Sequence, residues 1–328
     1  MERIRWGVLG VSGHFIRRVV LPLKKSSIVE LYGIASRSPE KAKNTAEKYG
    51  ITKSYSSYDE LLEDKDIEAV YIPLPNHLHT KWIKKAADKG KHILCEKPLA
   101  LTKNEAAESV DYAESKSVLI MEAFMYRFHP EWQRVLELVN VGEIGEVQSI
   151  YTLFTYNNPD PKNIRNNPDY GGGGLLDIGC YAVSISRYLI CQEPRRAISL
   201  IYNDSNFKVD ILSSGILDFG KARSLFTIAT KLFPSQRVDI NGSRGYINIF
   251  IPFNIYPDVP AKVSITTDVG TRTLEFFPVD QYGLEFESFS LSIRNNKPAP
   301  IPIDDIVNNA KVLDALFESA KTKSWISV

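Results

Sequence analysis

Residues 3–15, RIRWGVLGVSGHF, and residues 29–37, VELYGIASR, decide the fold. Each opens as an apolar run of strand length, and the helix-length segment from Phe15 to Lys25 lies between them, which makes a β-α-β unit. Outward from it the rhythm repeats. A helical stretch from Pro39 to Tyr49 precedes an apolar strand at 67–72 (IEAVYI). A helix from His77 to Lys89 then leads to a strand at 91–95 (KHILC), and a helix from Lys103 to Ser117 to a strand VLIME. Strands alternating with helices imply a parallel sheet covered on both faces, the doubly wound architecture.

Beyond about residue 125 the pattern changes. From 146 to 276 most segments read as strands: EVQSIYTLFTY, RAISLIYND, KVDILSSGILDF, ARSLFTIATKL, RVDINGS and YINIFI. Short turn-forming stretches such as Asp218–Gly220 and Asn241-Gly242 separate several of them, as in hairpins of an antiparallel sheet. The last helix follows a capping Asp304 and repeats apolar side chains at Ile306, Ala310, Leu313, Phe317 and Ala320. The expected organisation is an α/β domain over 1–123 and an α+β domain over 124–328, with the C-terminal helix a candidate to pack back on the first.

At 328 residues the chain can bury two cores, and forty basic against thirty-nine acidic side chains leave a formal charge of +1. That balance provides no long-range field to gather nucleic acid or an anionic membrane. Cys95, Cys180 and Cys191 build no disulfide framework and no CxxC metal site, which fits a reducing cytoplasm. No secretory leader is read at the N-terminus, and no stretch approaches the roughly 20 apolar residues of a membrane span. A soluble cytoplasmic protein without a metal is expected.

After the first strand comes Gly10-Val11-Ser12-Gly13-His14-Phe15. Glycine and small side chains there let the backbone turn sharply and approach a pyrophosphate at the following helix N-terminus. The run departs from GxGxxG, with serine at the second glycine position and Phe15 at the third. An ordinary strand-to-helix turn is the alternative. The second strand ends Ala35-Ser36-Arg37, where an NAD-selective fold usually carries a carboxylate. Arg37, with Lys41 one turn on, suits a phosphate ester, so NADP(H) is preferred over NAD(H). Glu30 lies at the opening end of its strand, the wrong edge for a ribose contact.

Two more loops follow strands at the edge where ligands of such sheets bind: PLPNHLH at 73–79 and EKPLA at 96–100. Pro73, Leu74, Asn76, His79 and Glu96 are therefore expected around the cofactor. The spacing of His77 and His79 invites a metal reading, but no carboxylate or cysteine cluster joins them. Lys97 follows a buried strand beside a glutamate and a proline. Its ammonium can bond a substrate hydroxyl and stabilise the alkoxide that hydride loss demands, although a plain surface charge is the bland alternative.

With these pieces in order, the chain resembles the glucose-fructose oxidoreductase, inositol dehydrogenase and MocA family over nearly its whole length. The resemblance rests on WGVLG (6–10), IASR (34–37), YIPLPNHLH (71–79), HILCEKPLA (92–100), MEAFMYRFHP (121–130) and GGGLLDIGCY (172–181). The last two are most similar to the branch of D-xylose dehydrogenases, dimeric dihydrodiol dehydrogenases and glucose-fructose oxidoreductase. The resemblance implies a Rossmann domain, an open, mostly antiparallel sheet, and a crevice holding cofactor and substrate. It implies that Lys97 contacts substrate and nicotinamide ribose, that Tyr181 exchanges the substrate hydroxyl proton, and that Asp177 positions the substrate. Four residues apart on a helix, Asp177 and Tyr181 share a face. Arg127, His129 and Arg165 match family positions near the entrance or substrate; His129 before Pro130 could equally orient a loop.

The implied reaction is oxidation of an aldose such as xylose or glucose to a lactone. A trans-dihydrodiol dehydrogenase, a keto-sugar reductase and a non-catalytic NADP(H) sensor are the alternatives. Family members pair through the open sheet. The strands from 195 to 251 carry Tyr202, Phe219, Phe226, Phe233 and Phe250, so a homodimer or homotetramer is expected.

Overall fold

Six short runs of the N-terminal half pair side by side as a parallel sheet in the computed structural model, which describes residues 2–328. They are β1 (Ile4–Leu9), β2 (Val29–Ala35), β3 (Lys53–Tyr55), β4 (Ala69–Ile72), β5 (His92–Glu96) and β6 (Ile120–Ala123), in the order β3-β2-β1-β4-β5-β6. Between them run α1 (Val20–Lys24), preceded by a π-helical turn at Phe15–Val19, then α2 (Pro39–Tyr49), α3 (Tyr58–Glu63), α4 (His79–Asp88) and α5 (Lys103–Ser115). Caps fix the starts: Ser38, Ser57 and Thr102 each accept a backbone N–H three residues on. Gly50, left-handed at φ 67°, ends α2. The sequence reading misses β3 and α3, because a three-residue strand with Tyr55 as its one buried side chain carries no readable period.

The chain forms two compact units, one of residues up to 125 together with 280–307, the other of 126–279 together with 308–328. The return of 280–307 to the first unit differs from the expected single domain over 124–328. Its physical reason is Trp6. This wholly buried side chain on β1 donates its indole N–H to Ser290 Oγ at 3.0 Å and meets Phe286 at 4.7 Å between ring centroids. Both partners stand on α8 (Gln281–Arg294). Covering a tryptophan removes some 150–250 Å² from water, worth about 4–6 kcal/mol as an upper figure.

The second unit holds α6 (Pro130–Asn140), β7 (Val147–Asn157), α7 (Cys180–Ile190) and β8 (Arg196–Asn203). The strands β9 (Asp210–Asp218), β10 (Arg223–Ala229), β11 (Lys231–Gly242), β12 (Gly245–Ile249), β13 (Ala261–Thr267) and β14 (Gly270–Phe276) follow. The chain ends in α9 (Asp304–Thr322) and β15 (Ile326–Ser327). Its sheet has nine strands in the order β14-β13-β12-β11-β7-β10-β9-β8-β15, antiparallel except for β7 beside β10. Side chains alternate: Ser224, Phe226 and Ile228 are buried, while Leu225 faces out. Phe219 and Phe226 belong to the core, whereas Tyr202, Phe233 and Phe250 are exposed with Leu200. Helix α9 is tied to β8 by Ser199, which donates to Leu316 O at 2.6 Å. Its last turns therefore serve the second unit, and α8 is the helix that returns to the first. The buried stripe of α9 runs through Ile306, Ala310, Leu313 and Leu316, with Phe317 and Ala320 only half-buried. Among the described residues no helix is long and apolar enough to cross a membrane.

Candidate active site

In the first unit the carboxyl ends of β1, β2, β4 and β5 share one edge, because all are parallel. Gly10 leaves β1 at φ 120°, and a Cβ there would stand 3.0 Å from Leu74 Cδ2. Glycine is thus required both by backbone conformation and by the approach of the next loop. Ser12 caps the following helical segment, its Oγ accepting Phe15 N–H at 3.0 Å and its carbonyl accepting Ile16 N–H. The serine that departs from the glycine fingerprint therefore supplies a helix start, and exposed Gly13 leaves the approach open. This positive-φ turn and open helix start fit a dinucleotide phosphate. Phe15 points inward, wholly buried and 6.4 Å from the Tyr71 ring, so its side chain packs the core instead of facing a ligand.

At the end of β2, Ser36 is buried and accepts Ser38 N–H, while Arg37 and Lys41 are exposed. Glu30 lies near the other end of the strand, 4.0 Å from Arg5. In the second loop Pro73 and Leu74 are buried, and Asn76 is half-buried. His77 is exposed, but His79 is wholly buried, its two ring nitrogens 2.9 and 3.0 Å from the carbonyls of Leu74 and Pro98. The ring of His79, expected around the cofactor, thus lies between the carbonyls of two loops. Burial pushes its pKa down, against the carbonyls that pull it up. Among the described residues no group of three or more His, Cys, Asp or Glu is placed to hold a metal.

Glu96 ends β5 and Lys97 follows it, both half-buried. Glu96 Oε1 accepts the Tyr71 hydroxyl at 2.5 Å and lies 3.3 Å from His14 Nε2. Burial disfavours its charge, but His14, Lys97 and Tyr71 outweigh that and hold the carboxyl at about 2. Glu285 of α8 is 1% exposed, and burial, then the Glu96 charge, push its carboxyl well above the ordinary carboxylate range. A fixed negative charge thus sits beside the lysine. Sequence reasoning missed Tyr71, Tyr282 and Glu285. The first lies inside a strand, and the other two arrive from the far end of the chain, with Tyr282 5.3 Å from the His14 ring.

In the second unit Asp177 stands in a π-helical turn, Leu175–Gly179, that runs into α7, with Tyr181 in its first turn. Asp177 Oδ1 is 2.9 Å from Arg165 Nε, and Oδ2 accepts the Tyr156 hydroxyl at 2.6 Å. Arg165 is brought there by the glycine run. Gly173 N–H donates to Arg165 O at 2.9 Å, and a Cβ on Gly172 would fall 2.5 Å from that oxygen. Tyr181 is 5% exposed, its ring 5.0 Å from Phe253 and 5.7 Å from Phe154. Arg127 is turned inward, donating to Ser184 Oγ at 2.8 Å and lying over the Tyr188 ring. His129 is 1% exposed and caps α6 through Glu131 N–H, the loop-orienting alternative of the sequence reading. Both have structural duties within their unit. A cavity of about 900 Å³ lies at the opposite end of α7, beside Leu189, Cys191, Arg195 and Arg244. It contains none of these polar residues.

Comparison with known proteins completes the description. Residues 4–124 match the family model described as an oxidoreductase family with an NAD-binding Rossmann fold, and residues 132–248 match the Gfo/Idh/MocA C-terminal domain. The chain is 38% identical over 334 residues to the uncharacterized oxidoreductase ORF334 of Rhizobium meliloti, covering 100% of each. It is 37% identical over 330 residues to D-xylose 1-dehydrogenase (NADP(+)) 2 of Haloferax volcanii, covering 98% of this chain and 99% of that one. A solved 3-ketoreductase from Actinomadura kijaniata, in complex with NADP and TDP-benzene, superposes with a TM-score of 0.91 at 28% identity, covering 97% of this chain and 98% of that one.

Proposed function

Because this chain belongs to the Gfo/Idh/MocA family of oxidoreductases, we propose that it is an NADP-dependent dehydrogenase that oxidises an aldose such as xylose or glucose at its anomeric carbon. The observation that carries this reading is the Glu96-Lys97 pair at the ligand edge of the parallel sheet, where Glu96 accepts the Tyr71 hydroxyl at 2.5 Å and lies 3.3 Å from His14 Nε2. The nicotinamide takes up the hydride when bound. Gly10, Ser12 and Gly13 would hold its pyrophosphate, and Arg37 with Lys41 would hold the adenosine phosphate, the feature that favours NADP over NAD.

Lys97 would bond the reacting hydroxyl and favour its alkoxide, and Tyr181, acting as its phenolate, would take the hydroxyl proton and become the neutral phenol. Asp177, already oriented by Arg165 and Tyr156, accepts a neighbouring sugar hydroxyl. Reduction of a keto sugar runs the same groups in reverse. The likeness to the ketoreductase favours that as the second reading. The three cysteines are free, as suits a reducing cytoplasm.

The test is cofactor reduction, read as nicotinamide absorbance, with NADP or NAD and a panel of aldoses, polyols and trans-dihydrodiols. Turnover of one aldose with NADP, lost in Lys97→Ala, is the expected result. Tight NADPH binding with no turnover of any substrate in either direction overturns it in favour of a sensor.

A further inference from the structure

His79 begins α4, and its ring spans two loops, with Leu74 O in the loop after β4 and Pro98 O in the loop after β5. A neutral imidazole donates only one N–H, so the ring secures one carbonyl firmly and the other only when doubly protonated. From the other side, Glu122 of β6, 3% exposed, accepts Leu99 N–H on Oε1 at 2.8 Å. With its proton on Nδ1 the His79 ring donates to Pro98 O, and the two residues that directly follow Lys97 are then each bonded to a buried side chain on a different element. His79 is wholly buried and Glu122 nearly so.

We propose that His79 and Glu122 are positioning residues that fix the Lys97 ammonium by clamping the backbone of Pro98 and Leu99 from two sides. The proposal rests on the reading of Lys97 as the group that meets the substrate hydroxyl. A loop held by a carboxylate-to-amide bond and a ring-to-carbonyl bond keeps the lysine within the fraction of an ångström that catalysis demands. Loss of either bond leaves a buried backbone group unpaired and lets the loop move.

The test compares Glu122→Ala, Glu122→Gln and His79→Gln in the full chain, each first checked for cooperative thermal unfolding. Glu122→Ala should lower kcat on the order of tenfold or more while NADPH affinity, read by fluorescence, changes less than threefold. Glu122→Gln keeps a carbonyl oxygen for Leu99 N–H and should recover most of kcat. His79→Gln retains one amide donor and should fall between them. Wild-type kcat in folded Glu122→Ala, or equal losses in the Ala and Gln variants, overturns the proposal. A second readout does not need turnover: the rate at which an amine-reactive reagent labels Lys97, and its protection by NADPH, followed by mass spectrometry. If wild type turns over nothing, the dehydrogenase reading fails by itself, and labelling decides the clamp. Several-fold faster labelling with weaker protection in Glu122→Ala supports it; unchanged labelling overturns it.

Discussion

Tyr156→Phe is the substitution that tests the second unit's polar cluster most directly. The tyrosine hydroxyl donates to Asp177 Oδ2 at 2.6 Å, while Arg165 Nε meets Oδ1 at 2.9 Å. The distances are alike but the surroundings differ: the Arg165 side chain is 38% exposed and that of Asp177 12%. Solvent screens the ion pair, which on that account is worth about 0–1 kcal/mol. A part-buried hydroxyl on a carboxylate is worth about 1.5–3 kcal/mol. Phenylalanine keeps the ring packing, so the loss isolates that bond. Urea unfolding should show Tyr156→Phe destabilised by about 1.5–3 kcal/mol and Arg165→Met by less than about 1. Because Asp177 loses a fixed orientation, kcat/KM for sugar should fall roughly tenfold, a change of about 1.4 kcal/mol, with NADPH affinity unchanged. An Arg165→Met variant less stable than Tyr156→Phe would refute the ranking, and an unaltered kcat/KM would refute the orienting role.

Arg37→Asp should raise the Kd for NADPH by tenfold or more and tighten NADH, since the fork that suits a phosphate ester becomes a carboxylate that suits ribose hydroxyls; equal loss for both cofactors counts against it. Glu131 is 1% exposed, and burial pushes its carboxyl up to about 8. The folded state thus keeps a proton that the unfolded chain releases above its ordinary value of 4.5, and stability falls as pH rises from there to about 8. Glu131→Gln should remove a slope on the order of a few kcal/mol across that window, and a wild-type-minus-variant curve that is flat between those limits sinks the assignment. The exposed apolar side chains of the open sheet, Leu200 at 78% and Phe233 at 85%, should be covered by a second copy of the chain. Light scattering should then give a dimer or tetramer that Leu200→Asp with Phe233→Asp reduces to monomer; a wild-type monomer at every concentration ends that prediction.

The strand-helix alternation of the first 123 residues was readable because the inner parallel strands are buried on both faces and leave nearly unbroken apolar runs, unlike the edge strand β3. β4 is an example, with all four of its residues buried. In the second unit the period of two located the strands. It also held a clue that went unused. Ile150, Thr152 and Phe154 are buried, so Tyr156 has the parity of the core face at the end of β7, where a phenol needs a partner. Asp177 is that partner. By contrast β13 and β14 went unnamed, since the outer strand β14 has no fully buried residue.

What remained illegible involves contacts made between separate elements, whose partners no local sequence pattern names. His79 has the residue type, loop and neighbours of a ligand contact. Only the fold reveals that its two nitrogens face Leu74 O and Pro98 O, one of which accepts the ring N–H. Arg127 is similar, a cation in a family motif that Ser184 and the Tyr188 ring draw inward. The capture of α8 has the same origin, because Trp6 and Ser290 lie 284 residues apart. A motif therefore reports that a position matters before it reports whether the side chain meets the ligand or holds the loop that does. At Lys97 the two roles separate physically. The ammonium lies on a half-buried residue able to reach a ligand, while the groups fixing its loop are buried on α4 and β6 and meet its backbone.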